Sequence, residues 1–79
     1  MDLRQLFANN LRKARYKRGI SQERLALDAG VDRAYMSRVE RGVTYVGLEI
    51  VGKLVDVLDI EPTELFQKPP KRSSRKKTG

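Results

Sequence analysis

Gln22-Glu23-Arg24-Leu25-Ala26-Leu27-Asp28-Ala29-Gly30-Val31-Asp32-Arg33-Ala34-Tyr35-Met36-Ser37-Arg38-Val39-Glu40-Arg41 is the most strongly patterned stretch of the chain. Leu25, Ala26 and Ala29 recur at helical spacing before Gly30, and Met36 and Val39 do so after it. Ser21 precedes the first run and Asp32 the second. Each offers a side-chain oxygen to the free N–H groups of a first helical turn. Gly30 permits a left-handed backbone conformation that a β-carbon would penalise. Ala26 is small where two helices would cross closely, and Val31 continues the inward side. Any one of these positions is weak; seven in register predict two short helices packed across a three-residue turn.

The same reasoning extends outward. Leu3, Leu6, Phe7, Leu11 and Ala14 form the apolar stripe of a first helix that Gly19 ends. The helix beginning at Arg33 runs to about Arg41 and stops at Gly42, and residues 43–46 form a loop. Gly47 is an acceptable cap for a fourth helix with apolar positions Leu48, Val51, Leu54, Val55 and Leu58. Pro62 suits the first turn of a short fifth helix ending near Phe66. Beyond that, Pro, Lys, Arg, Ser and Gly dominate and nothing is available to bury. The expectation is an all-α, five-helix domain over residues 1–66 and a disordered basic tail over residues 67–79.

Composition removes several classes of function. A chain of 79 residues makes one domain, which buries only about 60% of the surface exposed on unfolding. It has no Cys and no His. Disulfides, thiolate or imidazole metal sites and the common nucleophile–base pairs are therefore absent. An enzyme using carboxylates alone would need a pocket that so small a core hardly encloses. No apolar run approaches the roughly 20 residues of a membrane span, and the N-terminus lacks the order of a signal peptide. The expectation is a cytoplasmic protein that is not an enzyme, with no cofactor, membrane or small-molecule ligand indicated. The net charge of +7 is unevenly placed: ten Lys or Arg against five Asp or Glu in residues 1–41, one against five in 42–66, and six against none in 67–79. A basic first half beside an acidic segment suggests one face for a polyanion, although patchy charge is common in small proteins.

Gln22-Glu23-Arg24-Leu25-Ala26, Gly30-Val31, Met36-Ser37-Arg38-Val39-Glu40-Arg41-Gly42 and Glu61-Pro62-Thr63-Glu64-Leu65-Phe66 together resemble the Cro/cI-type (Xre-like) helix-turn-helix family over residues 3–66. Within it, Asp32-Arg33-Ala34-Tyr35-Met36-Ser37 most resembles the controller proteins of restriction–modification systems. Ala34 stands where that subgroup carries a threonine, and Val46-Gly47 where the wider family has Pro-Ser. The resemblance implies a repressor-like domain whose third helix enters the major groove of double-stranded DNA. With Met36 and Val39 turned inward, Arg33, Ala34, Ser37, Arg38 and Arg41 face outward. Arg33 and Arg38 suit paired hydrogen bonds to guanine, and Ala34 a thymine methyl. The alternatives for both arginines and for Ser37 are phosphate contacts or plain surface positions. The family uses a glutamine at the position of Gln22 for the DNA backbone, beside the positive end of a helix. Tyr35, Arg41, Thr44 and Tyr45 are further phosphate candidates, with packing the alternative for the two tyrosines. The resemblance also aligns Arg15 and Glu40 with a salt bridge inside the domain.

Val57, Ile60, Leu65 and Phe66 are apolar residues near the acidic end that either close the core or meet a partner chain. The resemblance implies a symmetric homodimer through them, setting two recognition helices about 34 Å apart on an operator with two half-sites. The tail from Lys68 to Lys77 reads as a solvated end, a nonspecific phosphate-binding arm or a cloning remnant. The resulting expectation is a sequence-specific transcriptional regulator, a repressor or an activator, with restriction–modification controllers nearest and phage repressors or antitoxins as siblings. A protein-interaction adaptor of the same fold and a nonspecific binder acting through the tail are the alternatives.

Overall fold

The computed structural model describes residues 1–69. Four α-helices, α1 (Leu3–Arg18), α2 (Gln22–Ala29), α3 (Arg33–Glu40) and α4 (Leu48–Leu58), precede a closing 3-10 helix, Pro62–Phe66. No strand occurs among the described residues. The short fifth helix expected at Pro62–Phe66 is of the 3-10 type, not α. It holds only five residues, too few to repay the nucleation of an α-helix. The rest of the expected tail, residues 70–79, lies outside the described residues.

Local chemistry sets the helix ends. The Asp2 carboxylate accepts from the Arg4 backbone N–H at 3.0 Å, Ser21 Oγ from Arg24 at 2.9 Å and Asp32 from Tyr35 at 3.2 Å. These caps satisfy donors that the first turn leaves free. Gly30 adopts φ 70°. This lets its own N–H bond the Leu27 carbonyl at 3.1 Å and lets Val31 bond the Ala26 carbonyl at 2.9 Å, closing α2 and turning the chain into α3. The end of α4 is made differently. Asp59 takes φ 55°, the one non-glycine residue with positive φ among those described. The Arg18 guanidinium donates to the Leu58 carbonyl at 3.1 Å, supplying a cation at the negative end of that helix.

The core is continuous. Phe7, Leu11, Leu25, Ala26, Ala29, Met36, Val39, Val51, Leu54, Val55, Leu58 and Leu65 pack as a single cluster, with α1 lying against the 3-10 helix, α3 and α4. Asn10 Nδ2 donates to the carbonyls of Leu65 and Gln67, at 3.1 and 2.8 Å, fastening the C-terminal turn onto α1. Two residues expected on apolar core faces are not there: Leu3 is 55% exposed and Leu48 83%. Both occupy the first turn of their helix and border a surface groove at the edge of the cluster. Among the described residues no helix is long and apolar enough to cross a membrane.

Candidate nucleic-acid interface

α3 presents two chemically distinct sides. Met36, Val39 and Glu40 are buried, whereas Arg33, Ala34, Arg38 and Arg41 are exposed and Ser37 is half-buried. Gln22, the first residue of α2, stands beside that outer side. Gln22, Arg33, Ala34 and Ser37 line one shallow cleft. The Arg38 guanidinium lies over the Tyr35 ring, 5.8 Å from its centroid, and half-buried Tyr35 packs against the core. Arg41 folds back along its own helix, with Nε donating to the Ser37 carbonyl at 3.3 Å.

Beneath this surface is a buried ionic junction. Arg15 and Glu40 are 8% and 2% exposed. Arg15 Nε donates to Glu40 Oε2 at 2.7 Å and Nη2 to Oε1 at 2.9 Å, a two-pronged, charge-assisted contact. Arg15 Nη1 donates to the Ile20 carbonyl at 3.1 Å. Gln22 Nε2 donates to Glu40 Oε1 at 3.2 Å. One carboxylate therefore joins α1, the start of α2 and the end of α3. Hydrogen bonding to Glu40 raises the Arg15 guanidinium above its ordinary value despite the opposing effect of burial, so Arg15 stays charged. Arg12 and Gln5 add bonds to the carbonyls of Glu40 and Arg41. Gly42, at φ 74°, admits the Gln5 carboxamide where an added β-carbon would stand 2.3 Å from its nitrogen. No spacing in the sequence signals these last contacts, because they join residues far apart in the chain.

Several expected positions are relocated. Thr44 and Tyr45 do not line the Gln22 cleft; they border a separate apolar groove with Leu3, Phe7, Leu48 and Phe66. Tyr45 lies under the Arg4 guanidinium, 4.8 Å from the ring centroid. Leu65, expected at a partner surface, is fully buried in the core and has no area to offer. Val57 and Ile60 are half-buried against the same cluster. Of the four expected interface residues, Phe66 keeps the most accessible face: it is 43% exposed and packs its ring on Phe7 in a tilted pair, 50° between planes and 5.5 Å between centroids.

A short helix exposed along one side, seated on a buried junction and joined through Gly30 to a helix whose N-terminus flanks it, is a helix-turn-helix domain. Residues 11–65 match the helix-turn-helix family HTH_3. The chain belongs to this family of DNA-binding transcription regulators. It is similar to the control protein C.BamHI of Bacillus amyloliquefaciens, with 35% identity over 66 residues covering 82% of each chain. Its fold is similar to the crystal structure of the restriction–modification controller protein C.AhdI from Aeromonas hydrophila, with a TM-score of 0.76 and 48% identity, covering 80% of this chain and 96% of that one. It also resembles the hypothetical transcription factor NHTF of Neisseria, with a TM-score of 0.82 and 36% identity over 94% of this chain and 85% of that one.

Proposed function

We propose that the protein is a sequence-specific regulator that binds an operator of two half-sites as a homodimer, as the controller of a restriction–modification system. Residues 1–66 form the DNA-binding domain. The observation that carries this reading is the outer side of α3, where Arg33, Ala34 and Ser37 share a cleft with Gln22 and Arg38 is exposed next along the helix, with no core residue among them. Arg33 and Arg38 can each span guanine O6 and N7, Ala34 can contact a thymine methyl and Ser37 a base edge. Gln22, Tyr35 and Arg41 suit flanking phosphates, and Thr44 and Tyr45 lie farther out, beside Arg4. The similarity to C.BamHI and C.AhdI supports the controller role.

The homodimer reading draws support from the apolar groove of Leu3, Tyr45, Leu48 and Phe66 more than from Val57 or Ile60. Contiguous exposed apolar surface of this kind marks association sites. A domain this small also gains stability from a second copy. The basic residues 67–79 would add salt-dependent affinity without sequence information. The protein acts by binding and not by catalysis, in the cytoplasm. Selection of bound fragments from random duplex DNA tests the reading. Enrichment of one sequence with two related halves is expected, and recovery of unrelated sequences would refute it.

A further inference from the structure

We infer that Glu40 is a positioning residue for the nucleic-acid interface: it holds the carboxamide of Gln22 in one orientation toward the cleft shared with Arg33, Ala34 and Ser37. The inference rests on the reading that this cleft meets DNA. A glutamine at a surface ordinarily turns freely and presents either end of its amide. Here Gln22 Nε2 lies 3.2 Å from Glu40 Oε1. Only the nitrogen end can face a carboxylate, because a carbonyl oxygen there would be repelled, so the orientation is dictated by chemistry.

Glu40 itself cannot turn to accommodate another arrangement. Both of its oxygens are engaged by Arg15, at 2.7 and 2.9 Å, and Arg15 is fixed in turn by the Ile20 carbonyl at 3.1 Å. Arg15 holds Glu40, and Glu40 holds Gln22. The pair with Arg15 already satisfies the buried charge, whereas Gln22 is half-exposed and has water available. The third bond therefore acts on the side that faces solvent. It leaves Gln22 with one free N–H and its carbonyl oxygen at set positions beside the first turn of α2. Exposed backbone N–H groups at that turn favour an anion, and the free amide N–H adds a donor for a phosphate oxygen. A donor already immobilised loses less freedom on binding.

A double-substitution cycle on DNA affinity separates this role from support of the fold. The probes are the duplex selected by the parent protein and a scrambled duplex of equal length. Gln22→Met, Glu40→Gln and the double variant are compared at a temperature where circular dichroism shows each to be folded. Gln22→Met is expected to weaken both duplexes about tenfold, the value of one hydrogen bond to a charged group. Glu40→Gln should weaken binding several-fold through a loosened Gln22 amide. The double variant should bind no more weakly than Gln22→Met alone. Losses that multiply in the double variant overturn the inference and leave the DNA reading standing. A parent protein without affinity for any duplex overturns both. If Glu40→Gln does not fold, hydrogen exchange of the Gln22 side chain in the parent decides: one of its two amide protons should be protected, and equal exchange of both refutes the inference.

Discussion

Glu40→Ala should cost this domain most of its stability while removing a negative charge from beneath the helix proposed to meet DNA. The substitution deletes the acceptors of two Arg15 bonds and one Gln22 bond. It strands a guanidinium whose side chain is only 9% exposed. Breaking a buried pair by removing one partner costs about 3–5 kcal/mol, because the remaining charge loses its partner without regaining water. Small domains have a total on the order of 5 kcal/mol, so the variant should sit near the limit of folding. At about 4–8 °C per kcal/mol for a domain of this size, the melting midpoint should fall on the order of 20 °C. Melts followed by far-ultraviolet circular dichroism without DNA measure this, at one fixed chain concentration because association would shift the midpoint. Arg15→Met with Glu40→Leu, which removes both charges and keeps volume, should recover part of the loss. If Glu40→Ala melts within a few degrees of the parent and binds DNA more tightly, the ionic junction does not support the fold as argued.

Arg33→Ala and Arg38→Ala should each leave the melt unchanged and cost about 1–3 kcal/mol on the selected duplex, relaxing preference at one base position. Equal weakening on selected and scrambled duplexes, measured by fluorescence anisotropy, would assign them to phosphate. Sedimentation at micromolar concentration should give twice the chain mass for the parent and one chain mass for Leu48→Glu, which places a charge at an 83% exposed groove position; a Leu48→Glu dimer would remove the groove from the interface. Asp59→Gly should raise stability by about 0.5–1 kcal/mol, since it relieves a positive φ and removes an acid from the negative end of α4. A lower melting midpoint would show that the Asp59 side chain itself holds that turn. Removing residues 68–79 should leave the melt and the preferred sequence unchanged and make binding less steeply salt-dependent; altered base preference would make the segment a groove-reading arm.

What was legible in the sequence is what local chemistry decides. Ser21, Asp32, Gly19, Gly30 and Gly47 each sit at the helix boundary expected of them, because capping depends on a few neighbouring residues. The inward side of α2 and α3 followed from period alone. Leu65 was harder to place: its burial depends on how the five-residue turn is held onto α1 by Asn10, 55 residues away. Leu3 and Leu48 satisfy a helical stripe, yet a stripe says nothing about where the facing helix ends. The left-handed Asp59 has no signal in the sequence, because glycine, not aspartate, usually marks that cap. Thr44 and Tyr45 belong to a loop, where no period exists to say which side a residue joins. The outer side of α3 was readable and the Gln22–Glu40 bond was not, since it depends on tertiary placement.

The ionic junction accounts for a feature that stability alone would not favour. Apolar residues of similar volume often replace a buried ion pair with no loss, and sometimes with a gain. A purely supportive role would therefore leave Arg15 and Glu40 without advantage in a domain of so few core residues. An apolar pair at these positions cannot accept a hydrogen bond from Gln22, cannot hold the Ile20 carbonyl, and cannot link three helices through one group. What the charged junction supplies is direction. It holds the Gln22 amide in one direction beside the outer side of α3. The proposed phosphate bond from that amide depends on this direction, because a hydrogen bond weakens steeply when its donor is misaimed. The double apolar variant should accordingly separate the two properties: its melt can return toward that of the parent while its affinity for the selected duplex does not.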